Sequence, residues 1–562
     1  MVLRDDPIHL PAEGPVLLGQ RTLQPAPACE KSEYADVALT TPALEKGHAR
    51  GCLQWVSLVR WFEMLHATFG LFVPLAMLCY GLQQGFKRQV EKFASKYYMM
   101  DTLKLDGVTI GRLQTASHLP WNIKPVLGML SDGFPLFGFH RTSYLVIMCS
   151  VSVLLHPPIV FTAVSAMGLL AFLTCSNLTA AFSDLVVDAT AARLARTLPT
   201  QACDLQTAIR TAEATGGMLS SAMKGVMVSH LSPLGAIFSS GLCAVAVLVP
   251  ALRGWLPEER LPKGHRCTPD LKSFKQNSGA TLAAGCLATL AVTLSLTQTF
   301  LLDWRSRAGV LTICAFAALI CVHKVFRKIS SYLWTTAALL FLRGIFSPGL
   351  GESMFVWMSK DPAGPLFSPE LLGLADCLGD AGFVIGMFIF NRYLRKWKYR
   401  NIFLLGQLLG AFAQMMDLIL VLRWNRVIGL PDILFFLGDE TFEQTMEKTF
   451  YVPVVVLAYK VCPANLEATI FATLIATSNI GRDCGKYWGV ILAEMWGIVG
   501  GNFEHLPHGI ISKTLVRLLS IPLILMLSPD MTPDDPIPME KDDEDDKTCE
   551  GINQPEKSSS TA

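Results

Sequence analysis

Charge is what this sequence has least of. Only 17% of its 562 residues are Asp, Glu, Lys or Arg, where a soluble globular chain carries about a quarter. The formal net charge is +1, so no global basic field points to nucleic acid. No P-loop or other nucleotide fingerprint is present, which disfavours transport driven directly by ATP. No nucleophile–base set is recognisable, which argues against an enzyme. The 15 cysteines are scattered, most of them inside apolar runs (Cys79, Cys149, Cys175, Cys243, Cys286, Cys314, Cys321). None has metal-ligand or redox spacing, and they read as small buried hydrophobes. His66, His118, His156 and His323 make no ligand spacing either, so neither metal nor cofactor is expected. Asn177 opens a glycosylation triplet but sits inside an apolar run, where modification is excluded by access. The N-terminus lacks the basic segment, apolar core and cleavage site of a secretory signal.

What is abundant is apolar length. Hydrophobic residues make up 51% of the chain and mean hydropathy is +0.40. Runs of about 20 apolar residues, enough to cross ~30 Å of hydrocarbon, recur along it. They fall at 62–82, 109–130, 143–161, 164–187, 205–230, 233–255, 279–302, 308–323, 331–358, 370–390, 401–422, 432–459, 465–498 and 509–527. The expected fold is therefore all-α, a polytopic transmembrane bundle of about fourteen spans, with twelve as the alternative. The runs are too long and too rich in Gly and Ala for a membrane barrel. Residues 1–60 and 528–562 read as solvated tails, mostly disordered, the second carrying KDDEDDK.

With the N-terminus inside, the basic loops at Arg193/Arg196, 253–276, Lys324–Lys328 and Asn391–Arg400 fall in the cytoplasm, as do both termini. One expected external loop dissents, KRQVEKFASK at Lys87–Lys96. A weak repeat adds architecture. LQTAIRTAEATGG at Leu205 is similar to LEATIFATLIATSNIG at Leu466, and FHR before the third span to KYR before the eleventh. Both pairs are offset by roughly 260 residues. Two six-helix bundles, 61–255 and 331–527, then flank a basic loop at 256–278 and an inserted helix pair at 279–330. Parallel repeats of this kind place a substrate site between the halves near mid-membrane.

The stretch GMLSDGFPLFGFHR (Gly128–Arg141) resembles the loop motif of major-facilitator proteins, lengthened by about two residues and with His140 at a usually basic place. Together with PWNIKP before it, SDLVVDA (Ser183–Ala189) and CPANLEATIFATLIATSNIG (Cys462–Gly481), it resembles the folate–biopterin transporter family over most of Trp61–Gly497. That resemblance implies a major-facilitator fold and secondary active uptake of pteridine-type compounds. Substrates associated with protozoan members are folate, biopterin and S-adenosylmethionine, so the substrate stays open.

Ionisable residues inside spans cost about 2.5–3.5 kcal/mol each and default to functional candidates. Arg210, Glu213, Gly217, Ser221 and Lys224 form one polar stripe on the fifth span, with Gly217 as its close-approach glycine. The stripe suits a cavity for a polar anion; the alternative is an Arg210–Glu213 pair locking neighbouring helices. Asp184 and Asp188 share a face of the fourth span; Asp184 is the expected proton carrier, and Asp188 is expected to pair with Arg193 or Arg141. Arg343 and Glu352 flank a Gly/Pro-interrupted segment of the ninth span, read as a broken helix or hinge. Asp376 and Asp380 on the tenth span serve either function or helix packing. Glu440, Glu443 and Glu447 mark a proton entry path or an amphipathic lead-in, and Arg482, Asp483 and Lys486 mirror the cationic end of the fifth span.

Lys124 lies between Pro120 and Pro125, about six residues or roughly 9 Å from the end of its span, near enough to snorkel or to reach a cavity. Expected roles are substrate binding by Lys124, Arg210, Lys224 and Arg343, and proton coupling by Asp184, Glu213, Glu352 and Asp380. Gly128, Asp132, Arg141 and Asp188 are expected to gate, with Asp132 near Pro463–Asn465. The expected activity is proton-coupled uptake of folate or pteridines at the plasma membrane. Partners are then a small-molecule substrate, protons and the bilayer. Alternatives are a cationic substrate, S-adenosylmethionine, held by Trp357, Asp380 or Glu352, or a membrane receptor or integral-membrane enzyme.

Overall fold

The computed structural model describes residues 50–197, 202–262, 278–301, 303–461, 467–533 and 535. Among them regular structure is helical, apart from one isolated bridge between Leu136 and Phe139. Helix α1 (Arg50–Phe69) ends at Gly70, whose φ of +60° lies in the left-handed region. Next, α2 (Phe72–Leu78) continues through a π-helical stretch, Cys79–Lys87, into α3 (Arg88–Tyr97) and a second such turn, Tyr98–Thr102. Two expectations change here. The helix starts at Arg50, inside the expected tail, and KRQVEKFASK is not a loop but part of a long helix. Its charges are affordable in the interior because they are matched. Lys87 bonds Ser176 Oγ at 2.7 Å and Glu91 at 3.2 Å, and Glu91 also meets His156 at 2.7 Å.

The second segment is broken into α4 (Gly107–Ser117), α5 (Leu119–Asn122) and α6 (Lys124–Gly133). Pro120 and Pro125 stand near the starts of α5 and α6, where a missing N–H interrupts the ladder. There follow α7 (Thr142–Leu155), α8 (Pro158–Phe161), α9 (Ala166–Thr197), α10 (Ala202–Leu231), α11 (Pro233–Ser240) and α12 (Leu242–Leu252). The inserted pair is α13 (Ser278–Phe300) and α14 (Trp304–Phe326). Then come α15 (Ser331–Ile345) and α16 (Gly351–Lys360), separated at the Gly/Pro run, and α17 (Pro369–Arg392). The remainder is α18 (Tyr399–Val421), α19 (Trp424–Val427), α20 (Asp432–Lys460), α21 (Glu467–Met495), α22 (Leu506–Leu519) and α23 (Ile521–Leu527).

Among the described residues 8 helical segments, or up to 9 with one bent pair, are long and apolar enough to cross a membrane. The rest of the expected spans, α4–α6, α10, α15–α16, α20 and α21, miss that standard because they carry charges or breaks. They are also the helices that hold most of the candidate site residues. Polar groups turned inward are compatible with a span whose partners are other helices rather than lipid.

Packing repeats along the chain. The 79–87 stretch lies on α10 as α15 lies on α21; α7 contacts α9 and α12 as α18 contacts α20 and α22. Across the bundle α10 meets α17, while α21 meets α4, α5 and α6. The α13–α14 pair packs on α4–α6, α15 and α21. The described residues from Phe62 onward form one compact unit. Met531 O accepts from Tyr399 N at 2.9 Å, so the chain stays packed beyond Ser528, where a tail was expected to begin. Most of the basic loop (263–277) and the acidic run KDDEDDK lie outside the described residues.

The apolar core is distributed unevenly. One cluster joins Phe93, Tyr97 and Leu113 to Phe355, Trp357, Leu372, Val490 and Ile510, uniting early and late helices at one end of the bundle. Phe355 packs edge-on against Phe93 and Tyr97, with ring centroids 6.2 and 5.2 Å away. A second large cluster, with Leu287, Leu333, Phe403, Leu474 and Tyr487, draws its buried members from residues 287–531 alone.

Candidate functional site

Between α3, α10 and α21 lies a cationic, solvent-accessible cavity. Arg88, Lys92, Arg210, Arg482 and Lys486 all keep exposed side chains. Protein nevertheless surrounds Arg88, Lys92 and Arg210 on most sides. Arg88 lies within electrostatic reach of Glu213, Asp184 and Arg482, and Lys92 within reach of Glu352 and Lys486, so these groups border a common space. Opening such charges to hydrocarbon would cost about 2.5–3.5 kcal/mol each, so the accessible face must be water.

One wall is an ion-paired set. Lys124 contacts Asp184 directly and Asp188 at 3.1 Å, and Tyr80 donates its hydroxyl to Asp188. Arg210 lies over the Tyr80 ring at 5.0 Å and bonds Glu213 at 2.8 Å. Arg88 lies 5.0 Å over Trp121, whose indole N–H donates to Asn177 at 3.0 Å. The opposite wall centres on buried Asp483, which accepts from Asn122 at 2.8 Å and pairs with Lys486 at 2.8 Å and His118 at 3.2 Å.

The cavity is closed at the end where the shared apolar core sits. There Lys96 pairs with Glu352 at 2.7 Å, Lys224 with Asp376, and Lys360 with Asp101 at 2.9 Å. Ser221 donates to Asp380 at 2.8 Å. At the opposite end Arg210 and Glu213 remain 52% and 37% exposed, so the charged groups there are accessible.

The expected stripe on α10 is therefore divided: Arg210 and Glu213 face the cavity, whereas Ser221 and Lys224 are engaged with α17. Arg210 and Glu213 bond each other on one helix rather than locking two. Asp188 meets Lys124 and Tyr80, not the expected arginines, because Arg141 reaches Asp132 at 3.6 Å and Ala189 O at 3.3 Å, and Arg193 bonds Pro257 O. Lys124 neither snorkels nor points at open solvent; the two aspartates hold it. Asp376 and Asp380 both make contacts across to α10. Arg343 is half-buried, near Arg517, Glu447 and Arg482. Gly128 rests against Leu185, with space for a Cβ only 3.3 Å from its side chain. The partner region expected for Asp132, Pro463–Asn465, lies outside the described residues.

The family model for BT1, the folate–biopterin transporters, matches residues 84–548. This chain belongs to the BT1 family. Among BT1 relatives, the Arabidopsis thaliana protein named "Probable folate-biopterin transporter 6" is 25% identical over 488 residues, covering 85% of this chain and 88% of that one. The Synechocystis "Folate-biopterin transporter" is 26% identical over 447 residues, 78% of each. Solved structures of similar fold include an auto-inhibited POT family peptide transporter (TM-score 0.57, 12% identity, 83% of this chain and 98% of that one). A nucleoside transporter also aligns (TM-score 0.53, 11% identity, covering 82% and 98%). The motif resemblance and the helical transporter fold expected for this BT1 protein are thus borne out.

Sequence reasoning missed several site residues. Arg88 and Lys92 were hidden in the apparent basic loop, and Tyr80 carried no signal of its own. Glu258, in a stretch read only as basic loop, accepts from the backbone N–H groups of His140, Arg141 and Thr142 at 2.7, 3.0 and 2.7 Å, and so builds the unusual turn after Gly133. A carboxylate at a helix N-terminus is a legible signal only once the loop is known to return there.

Proposed function

We propose that this BT1-family protein is a secondary active transporter that takes up anionic pteridines of the folate class, driven by protons, at the plasma membrane. The observation that carries the reading is the cationic cavity. Arg88, Lys92, Arg210, Arg482 and Lys486 offer charge-assisted hydrogen bonds to carboxylates. Trp121 and Tyr80 lie buried beneath Arg88 and Arg210 and hold those guanidinium groups in place. This chemistry favours a dicarboxylate such as folate over neutral biopterin, and disfavours a sulfonium cation such as S-adenosylmethionine. The repeated packing supports two six-helix halves, with α13–α14 inserted between them. With both termini in the cytoplasm, the accessible Arg210–Glu213 end faces inward, and the Lys96–Glu352 and Lys224–Asp376 pairs close the outside. Uptake then requires those pairs to separate while the Arg210 end closes.

The test is uptake of labelled folate, biopterin and S-adenosylmethionine by cells expressing the full chain, with a fluorescent tag to locate it. Folate accumulation that is abolished by an uncoupler is the expected result. Accumulation of none of the three overturns the substrate class, and accumulation indifferent to the uncoupler overturns proton driving.

A further inference from the structure

The carboxylates around the cavity are each matched: Asp184 by Lys124, Glu213 by Arg210, Glu352 by Lys96, Asp380 by Ser221. A different group of acids, remote from the cavity, is not. On α20, Asp439 is 4% exposed, and its buried Oδ1 has no hydrogen-bond partner among the described residues. Its nearest charges are Asp417, Glu443 and Glu440, with Lys513 as the cation. Lys513 is already committed to Asp417 at 2.7 Å. Arg517, one turn further along α22, bonds Gln407 at 3.2 Å and acts on Glu443 and Glu447. From α15, Arg343 acts on Glu447, which Arg517 also reaches; from α21, Arg482 lies over Tyr451 at 5.9 Å.

Acids thus outnumber bases around Asp439 inside a membrane bundle. An unmatched ionised carboxylate there is too costly to persist, so the group must take up a positive charge. Among the described residues no three His, Cys, Asp or Glu side chains converge as a metal site. The acids lie side by side along α20 and α18 instead, which suits proton exchange between them.

The group is also wired to the closed end of the cavity. Glu440 accepts from Gln444 at 2.7 Å, Gln444 donates to Asp376 at 2.9 Å, and Asp376 holds Lys224 of α10. We propose that Asp439, with Asp417 and Glu443, is the coupling-proton site. Its protonation state is transmitted through Glu440, Gln444 and Asp376 to the contact that α17 makes with α10. The step is a simple proton binding: one proton from the outer medium adds to a carboxylate of the group, neutralises it, and is released when the Arg210 end is open. Glu440 and Gln444 then turn from Asp376, loosening its hold on Lys224. This rests on the proposed transport reading only for the coupling, not for the proton site.

Two measurements separate these. The first uses purified full-length protein without substrate, stepped from about pH 8 to about pH 5, and reads the carbonyl stretch of protonated carboxyls by infrared difference spectroscopy. Asp439→Asn and Glu443→Gln should each alter or remove that band, while Glu213→Gln leaves it; a band unchanged in both variants overturns the site. The second uses proteoliposomes and whichever panel compound the wild type carries. For one-proton symport, a gradient of about one pH unit supports about tenfold accumulation. Asp439→Asn should lose that accumulation but keep substrate counterflow, which also shows that the variant is folded. If Asp439→Asn accumulates as wild type does, coupling through Asp439 is overturned. If the wild type moves nothing in the panel, the substrate reading fails and the infrared result still decides the proton site.

Discussion

At the scale of single residues, the protein depends on how each charge is matched. Lys124 is the clearest case, since it is the only described cation in contact with both Asp184 and Asp188. Replacing it with Met leaves Asp184, 6% exposed, buried without its partner, a change that costs about 3–5 kcal/mol in comparable sites. Lys124→Met should therefore lower the thermal unfolding midpoint in detergent, and adding Asp184→Asn should recover much of it. A midpoint equally low in the double variant would mean that the pair is not what Lys124 supports. Arg88 should behave differently, because its proposed role is towards substrate. A hydrogen bond to a charged group contributes about 1.5–3 kcal/mol, so Arg88→Gln should raise the KM for folate roughly tenfold or more. Uptake of neutral biopterin, if measurable, should change little. The sequence identified Lys124 as an anomaly but could not name its partners, because Asp184 and Asp188 are brought to it from another helix. Arg88 was illegible for a different reason: a window of mixed charge looks the same whether it is solvated or internally paired.

At the scale of helices, close approach decides the arrangement. The sequence marked Gly217 as the position where α10 admits a neighbour. The contact is one residue earlier. A Cβ on Gly216 would stand 1.9 Å from Gly81 O, whereas one on Gly217 meets only the Gln89 side chain at 3.8 Å. Gly216→Ala must push α10 from the 79–87 stretch and should abolish folded protein in fluorescence size-exclusion traces. Gly217→Ala should be neutral or slightly stabilising, since Ala is favoured over Gly within a helix by about 0.5–1 kcal/mol. The late helices repeat the device, with a Cβ on Gly485 falling 2.3 Å from Gly344 O. The Gly/Pro run predicted the break between α15 and α16, because proline and glycine act locally; the second span, read as one run, is instead divided into α4, α5 and α6. Which of two adjacent glycines faces a neighbour depends on helix rotation, and the π-helical turns at Cys79–Lys87 shift that rotation without a sequence signal.

At the scale of the whole bundle, one end is held by apolar packing plus ion pairs, while at the other Arg210 and Glu213 stay exposed. Lys96→Glu should impair uptake by placing like charge against Glu352, and Lys96→Glu with Glu352→Lys should restore it. Coupling between contacting residues in such a cycle runs to about 0.5–3 kcal/mol. Equal defects in the single and swapped variants would show that the pair does not hold the closed end. The membrane bundle was readable in sequence because hydrocarbon thickness and helical rise fix a length scale, and the family because its motifs are short local runs. The state of the bundle was not, because opening at one end and closing at the other use the same residues with different partners.

The inserted pair brings one further consequence. Arg112 of α4 donates to the carbonyls of Gln298, Thr299 and Leu301, the exposed acceptors at the end of α13. Six residues after Leu301, Arg307 of α14 is wholly buried against Glu494 of α21. The short connection between α13 and α14 is thus riveted to α4 on one side and α21 on the other, beside the closed end. Any rocking that draws α4 away from α21 has to bend this tether or break it. Under the proposed transport reading, the pair is a mechanical limit on the stroke of the cycle, setting how far the closed end can open rather than what passes through it.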